Sequence, residues 1–240
     1  MQIGITLPTF SPDADGVVAA ARVAEKAGLH GVFVFDHLWP RGSPSRPALS
    51  LYPVMGAVLA STRSIRVGTL VARVGLLPDE VVLASLGSLA RMAEGRLIAA
   101  VGTGDSSSAD ENTRLGIPYG SARWRRERLR HVAETLEAMG VETWIGAGGP
   151  ATSEIAQATG ATLNLWDADP ADLRAAAATG SPVSWAGPLP ADSAPADRLR
   201  AIGSAGATWA VWGWPQSIDL VVSAAAEAGV ALGRRRSSLD

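Results

Sequence analysis

The 240-residue sequence contains no cysteine, which excludes disulfide bonds, thiolate nucleophiles and thiolate metal ligands. Lysine is almost absent as well: Lys26 is the only one, so any Schiff-base chemistry would depend on that single residue. No uninterrupted apolar run approaches the ~20 residues of a membrane-spanning helix. The first residues also lack the basic segment followed by an apolar one that is typical of a secretory signal. These absences predict a cytoplasmic protein.

Charge is scarce too. The formal net charge is −2 and 18% of the residues are charged, which gives no electrostatic reason to expect binding to nucleic acid or to an anionic membrane. Hydrophobic residues make up 47% of the chain and are sufficient for a large core. The length would allow two small domains, but α/β barrels of this size commonly form one. We therefore expect one domain over residues 1–240.

Patterns typical of strands and helices alternate along the chain. In the clearest case the β-branched run Ile65–Ala72 precedes a helix that starts near Pro78, and the apolar run Leu97–Gly102 follows. The helix repeats apolar residues with a period near 3.6, at Val82, Leu86, Leu89 and Ala93. Apolar runs joined by a helix predict parallel strands that are buried on both faces.

Eight such strand-plus-helix units can be recognised, and most of their helices end at glycine. This count favours a single α/β domain, a (β/α)8 TIM barrel, over the alternative of a doubly wound sheet. The long segments His37–Ser50 and Ser106–Gly120, interpreted as loops, both follow strands and so mark the C-terminal face as the binding face. The predicted strands are Ile3–Leu7, Gly31–Asp36, Ile65–Ala72, Leu97–Gly102, Val141–Gly146, Ala161–Trp166, Pro182–Gly187 and Ala207–Trp212.

Polar residues at the ends of the second and fourth predicted strands are candidates for chemistry. His37 is suited to proton transfer near neutral pH and Asp36 to orienting it or contacting a ligand ring, although a loop cap and a surface histidine would explain the pair equally well. Gly102-Thr103-Gly104 would let the backbone approach a ligand, with Asp105 over the barrel mouth; a turn capped by aspartate is the alternative. Trp39 and Trp166 either stack on a planar ligand or pack in the core or at the rim.

The segment Gly146-Ala147-Gly148-Gly149-Pro150 carries the sharper signal. It enters a helix, and a glycine-rich loop at a helix N-terminus presents unpaired N–H groups to an anion such as phosphate. Thr152 or Ser153 would add a hydroxyl group. A tight strand-to-helix turn is the alternative, but such a turn rarely needs three glycines in four residues. With no cysteine and scattered histidines, we expect no metal site.

Together these segments resemble the bacterial luciferase-like monooxygenase family, and more closely its members that use the deazaflavin coenzyme F420. The resemblance covers nearly the whole chain, with insertions shortened. Its marks are Ile3–Leu7, Ala24-Glu25-Lys26-Ala27-Gly28, Phe35-Asp36-His37, Arg66-Val67-Gly68-Thr69, Gly95-Arg96-Leu97, Val101-Gly102-Thr103-Gly104-Asp105 and Ile145-Gly146-Ala147-Gly148-Gly149-Pro150.

The resemblance implies roles for these positions. His37, Asp105 and Trp39 would be catalytic, with His37 in acid–base chemistry and Trp39 beside the reacting carbon. A bulge with a cis peptide would fall at Leu70-Val71, and the coenzyme phosphate at Gly148-Gly149. The residues expected to bind the coenzyme are Asp36, Thr69, Leu70, Val71, Gly102, Thr103, Gly104, Gly146, Ala147, Gly148, Gly149, Thr152 and Trp166.

The sequence also departs from this family. Ala151 stands where many relatives have arginine, and the lysines that bind the substrate phosphate in sugar-phosphate dehydrogenases are missing, which argues against that substrate. The shortened insertions leave the substrate side open or completed by another subunit, and the family implies a homodimer. We therefore predict an oxidoreductase that transfers hydride between coenzyme F420 and a small organic substrate. An FMN-dependent monooxygenase and a non-catalytic flavin-binding barrel are the alternatives.

Overall fold

The computed structural model describes residues 1–40, 42–188, 194–215 and 217–233. Strands and helices alternate through these ranges, as the sequence predicts. In chain order the elements are β1 (Gln2–Thr6), α1 (Ala14–Lys26), β2 (Gly31–Val34), α2 (Leu51–Ser61), β3 (Arg66–Thr69), β4 (Ala72–Arg73), α3 (Asp79–Ala93), β5 (Leu97–Gly102), α4 (Ser106–Arg114), α5 (Ala122–Ala138), β6 (Thr143–Gly146), α6 (Pro150–Thr159), β7 (Thr162–Trp166), α7 (Pro170–Ala177), β8 (Val183–Gly187), α8 (Pro195–Ser204), β9 (Ala207–Trp212) and α9 (Ile218–Glu227).

The strands form one closed parallel barrel. β1 pairs with β2 on one side and with β9 on the other, so the first and last strands complete the ring. β3 pairs with both β2 and β5, and β4 pairs with β5, so β3 and β4 together occupy a single strand position in the barrel. The barrel therefore has eight strand positions surrounded by helices, and the predicted (β/α)8 fold is confirmed.

A bulge separates β3 from β4, which together form the third strand position of the barrel. Val67 pairs with Leu97, thirty positions later, whereas Ala72 pairs with Val101, only twenty-nine positions later. One extra residue therefore lies between β3 and β4, and the peptide bond Leu70-Val71 in this interval is cis. This confirms the bulge with a cis peptide that the family resemblance implies at Leu70-Val71. The apolar run Ile65–Ala72 is accordingly divided into β3 and β4 and does not form one continuous strand.

The segment Ser106–Gly120 was also predicted incorrectly, as a loop throughout. Its first part is the helix α4, which starts with a capping box: the Asp105 carboxylate accepts hydrogen bonds from the backbone N–H and the hydroxyl of Ser108. Few apolar residues follow, so the segment has no helical hydrophobic stripe to indicate a helix.

No helix in the described ranges is long and apolar enough to cross a membrane.

The barrel interior is filled by three aromatic rings. The Phe33 ring centroid lies 5.3 Å from that of Trp144 and 5.8 Å from that of Trp209. Space for Phe33 comes from the absence of side chains on the neighbouring strands: a Cβ atom on Gly68 would lie 2.5 Å from the ring, and one on Gly4 would lie 2.8 Å from it. A separate, larger apolar layer lies between the strands and the helices.

We predict that Gly68→Ala destabilises the protein by about 1–3 kcal/mol, because the added methyl group overpacks the interior against Phe33. Gly56→Ala is the matched control. It makes the same chemical change inside α2, where a Cβ atom meets nothing within 4 Å, and should stabilise the helix by about 0.4–1 kcal/mol. Urea denaturation of both variants measures the two changes, and equal effects on the free energy of unfolding would contradict the proposed packing.

Candidate functional site

A cavity of about 510 Å³ lies at the C-terminal ends of the barrel strands. This is the face on which TIM barrels bind their ligands. One part of its lining follows β3 to β6 and is mostly backbone and small side chains: Leu70, Val71, Gly102, Thr103, Gly104, Gly146, Ala147 and Gly148. Another part follows β7, β8, β9, β1 and β2 and carries large apolar side chains: Trp166, Pro188, Trp214, Phe10 and Phe35.

The bulge shapes the floor of the cavity. Phe35 and Val71 pack on the aromatic cluster of the barrel interior and also line the cavity, so they separate the two. A Cβ atom on Gly102 would lie 2.6 Å from Cγ2 of Val71, and one on Gly146 would lie 3.2 Å from Cγ1. Glycine at these two strand ends therefore allows the displaced valine to lie across β5 and β6.

A buried ionic network stands beside this floor. The Glu111 carboxylate lies 2.9 Å from Nδ1 of His37 through Oε1 and 2.6 Å from the Arg73 guanidinium through Oε2. The Glu111 and Arg73 side chains are only 3% and 4% exposed. An ionised carboxylate only accepts hydrogen bonds, so Nδ1 of His37 is the donor and Nε2 is the remaining ring nitrogen. His37 and Arg73 both line the cavity.

Asp36 supports the same network from the backbone side. Its Oδ2 accepts the N–H of Arg73 at 2.8 Å, which holds the end of β4 against the end of β2. Burial raises the pKa of the Asp36 carboxyl above its usual value, and the backbone and charge of Arg73 offset this only in part. Burial likewise raises the pKa of Tyr52, with a further contribution from the negative charge of Asp36.

Asp105 lines the cavity and begins α4. Its carboxylate serves the capping box described above, and its carbonyl oxygen accepts the Tyr119 hydroxyl at 2.5 Å. A carboxylate at a helix N-terminus is favoured by the helix dipole. Because α4 carries Glu111, the cap also fixes the helix that positions His37.

The glycine loop after β6 is partly closed on itself. The Thr152 hydroxyl accepts the Gly148 N–H and donates to the Gly149 carbonyl, both at 2.8 Å, so it is occupied within the loop. In the described part of the chain, no hydrogen bond is made by the N–H groups of Gly149 and Ala151. These two donors at the N-terminus of α6 are suited to an anion.

The predicted site residues separate into two groups. Most of them line the cavity: His37, Asp105, Leu70, Val71, Gly102, Thr103, Gly104, Gly146, Ala147, Gly148 and Trp166. The others lie outside the described lining: Trp39, Asp36, Thr69, Gly149 and Thr152. Thr69 donates its hydroxyl to the Ala100 carbonyl within the barrel, and the Trp39 ring centroid lies 6.0 Å from the Arg114 guanidinium carbon.

Several residues of the site were missed by the sequence reading. Glu111 and Arg73 had no periodicity or motif to mark them, although a charged residue directly after an apolar run, as Arg73 is, could have served as a signal. Asn164, which donates to Ser184 at 3.0 Å, interrupts an apolar strand and was a second available signal. The remaining unpredicted lining residues are Phe10, Phe35, Ser108, Pro188, Gly213 and Trp214.

Comparison with known proteins gives a family and a fold. A family model described as "Luciferase-like monooxygenase" matches residues 1–180. A solved structure of an F420-dependent secondary alcohol dehydrogenase, in complex with an F420-acetone adduct, superposes with a TM-score of 0.77 at 16% sequence identity. That match covers 95% of this chain and 98% of the other, so the similarity of fold extends over almost the whole barrel.

Two curated relatives are described as F420-dependent glucose-6-phosphate dehydrogenases. The protein from Beutenbergia cavernae is 32% identical over 131 residues, which cover 54% of this chain and 37% of the relative. The protein from Nakamurella multipartita is 30% identical over 167 residues, which cover 68% of this chain and 46% of the relative. The aligned part of this chain thus spans less than half the length of these relatives.

Proposed function

The chain belongs to the luciferase-like monooxygenase family, and from this premise we propose that it binds coenzyme F420 and transfers hydride between the deazaflavin and a small organic substrate. The observation that carries the proposal is the position of His37. It lies in the cavity wall, beside the backbone-lined part, with one ring nitrogen held by a buried carboxylate. That arrangement suits a histidine that exchanges a proton with a bound substrate.

The cavity residues fit a planar ring with a phosphate-bearing chain. Leu70 and Val71 give an apolar floor, and Gly102 and Gly146 leave no side chain between that floor and a ligand. The N–H groups of Gly149 and Ala151 would receive the phosphate at the N-terminus of α6, which replaces the charge of an arginine with backbone donors. When bound, F420 supplies a carbon position that accepts or releases hydride.

His37 would move the proton that accompanies the hydride. With Nδ1–H donated to Glu111, Nε2 is free to take a proton from a substrate hydroxyl or, when protonated, to return one to a carbonyl oxygen. The Glu111 carboxylate stabilises the positive charge that His37 gains in the first direction. The Arg73 guanidinium in turn pairs with that buried carboxylate through its other oxygen.

An FMN-dependent monooxygenase on the same barrel is the rival function, in keeping with the name of the family. Titrating the purified protein separately with F420 and FMN distinguishes the two. We expect saturable binding of F420 and substrate-dependent reduction of it without oxygen. A yellow FMN complex that reacts with oxygen, together with no affinity for F420, would contradict the proposal.

We predict that Gly148→Val weakens F420 binding by at least ~10-fold, about 1.4 kcal/mol. A Cβ atom on Gly148 meets nothing within 4 Å, so the substitution should leave the melting temperature unchanged while its branches obstruct the approach to the loop. Gly148→Ala should have a smaller effect. Fluorescence titration gives both affinities, and an unchanged affinity in Gly148→Val would locate the phosphate elsewhere.

We predict that His37→Ala lowers turnover by ~100-fold, the size of a lost acid–base group, with F420 affinity and melting temperature nearly intact. Asp105→Asn separates two roles, because asparagine also caps helices well. A ~100-fold loss of turnover in Asp105→Asn at unchanged stability would support acid–base chemistry by this carboxylate, whereas full turnover would leave it as a cap. Preserved turnover in His37→Ala would contradict its assignment.

We also propose that the protein is a homodimer that pairs through α2 and α3. These helices pack together and border an open groove, and Val81 on α3 is 45% exposed. Val81→Asp should shift the molecular mass measured by light scattering toward the monomer, because a charge in an apolar interface is costly. Val23→Asp on α1, where the valine is 52% exposed, is the matched control. A monomeric wild-type protein at micromolar concentration would contradict the dimer.

A further inference from the structure

The large apolar side chains of the cavity form one continuous arc. In the closed barrel β7, β8, β9, β1 and β2 are consecutive neighbours, and their C-terminal ends carry Trp166, Pro188, Trp214, Phe10 and Phe35. We call these five residues the aromatic arc. The ends of β5 and β6 face them with glycines and other small residues, and the segment of β3 and β4 contributes Leu70, Val71 and Arg73. A ligand in the cavity therefore meets backbone on one side and aromatic surface on another.

Three aromatic rings of the arc contact one another, and both of its tryptophans are half exposed. Phe10 stacks on Phe35 with centroids 5.7 Å apart and planes 4° apart, and Trp166 meets the Phe35 ring at 5.8 Å. Trp166 and Trp214 remain 49% and 45% exposed. The backbone N–H of Trp214 donates to Oγ1 of the fully buried Thr6 at 2.7 Å, which fixes the start of its loop. Half-exposed aromatic surface in a concave site is typical of apolar ligand binding.

The arc also reaches the group that would handle the proton. The His37 ring centroid lies 6.3 Å from that of Phe10 and 6.5 Å from that of Phe35. Because Nδ1 of His37 is held by Glu111, a molecule packed on these rings would find Nε2 at its edge. The aromatic arc is thus placed to hold a substrate, while the glycine side accommodates the coenzyme. This assigns Trp166, which the resemblance placed at the coenzyme, to the substrate.

The charges of the lining do not suit an anionic substrate. In the described lining the charged side chains are Arg73 and Asp105, with His37 as a further titratable group. The Arg73 guanidinium is already paired with Glu111 at 2.6 Å, and the Asp105 carboxylate is engaged by Ser108 at the start of α4. A phosphate or carboxylate on the substrate would therefore lose its hydration without gaining an uncommitted cation from the described residues, which is unfavourable.

We infer that the substrate is an uncharged, apolar alcohol or its carbonyl counterpart, held on the aromatic arc. The inference rests on the proposed function. In the oxidising direction the carbinol C–H bond breaks and its hydride, with both electrons, passes to oxidised F420. The hydroxyl proton passes to Nε2 of His37, and the C=O bond forms. The glucose 6-phosphate in the names of the two curated relatives is a polar anion and does not meet this description.

Calorimetric titration of the F420-loaded protein tests the inference, with 1-phenylethanol, acetophenone and glucose 6-phosphate as probes. We expect saturable binding of both phenyl compounds, at least ~10-fold tighter than that of glucose 6-phosphate. Trp214→Ala should weaken binding of the phenyl compounds by at least ~10-fold and leave F420 affinity unchanged. Val23→Ala, which trims an apolar side chain that is 52% exposed on α1, should change neither affinity.

Three results would overturn the inference: glucose 6-phosphate binding as tightly as the phenyl compounds, no saturable binding of either phenyl compound, or full affinity for both in Trp214→Ala. Failure of the proposed function gives a different result. In that case the protein does not bind F420, and titrating the coenzyme-free protein with the same probes then decides whether the aromatic arc binds apolar molecules.

Discussion

The Glu111 carboxylate is the interaction on which the site depends. It joins His37, three residues after β2, to Arg73, at the end of β4, and it reaches both from α4, which follows β5. A carboxylate and a guanidinium at 3% and 4% exposure are tolerated inside a protein only as a pair, since either alone would be a buried, uncompensated charge. Three separate segments are therefore held in one arrangement at the cavity.

The ion pair of Glu111 and Arg73 contributes more to the fixed geometry of the site than to the free energy of unfolding. Desolvation of two buried ions consumes most of their mutual attraction, so a well-packed apolar pair would often be as stable. Nε of Arg73 has no hydrogen-bond partner among the described residues, which adds to the cost of burial. What the network supplies is a fixed tautomer and a fixed orientation of His37, and preorganisation of this kind is what a proton-transfer site requires.

Much of the fold could be predicted from local pattern, because a helix that ends at glycine and a buried apolar run each have a signature in the sequence. The helix α4 could not, since its stability comes from the Asp105 capping box and from side chains that serve the site. Composition alone carries no signal of the bulge, since Leu70 and Val71 are as apolar as their neighbours, and only the family resemblance predicted it.

The candidate site, like the fold, could be predicted only where its residues have a local signature in the sequence. Glycines at strand ends and a histidine after a strand are recognisable, so His37, Gly102 and Gly146 were found. Glu111 was missed because its importance arises from closure of the barrel: it lies 38 residues from Arg73 and 74 from His37 along the chain. Phe10 and Trp214 were missed for a related reason. They line the same cavity only because β1 and β9 pair and close the barrel.

The division of the cavity into two arcs has a consequence for how the protein can change. The glycine side depends on backbone geometry and on the bulge, and a side chain at Gly102 or Gly146 would crowd Val71. In the aromatic arc, Trp166 ends β7 and the other four residues lie in loops. Trp166 and Trp214 are half exposed, so their replacement alters the shape of the cavity wall rather than the packing of the core. Single substitutions in the aromatic arc can therefore change which ligand the cavity accepts, while the glycine side stays constant. Redesign of ligand selectivity would begin with this arc.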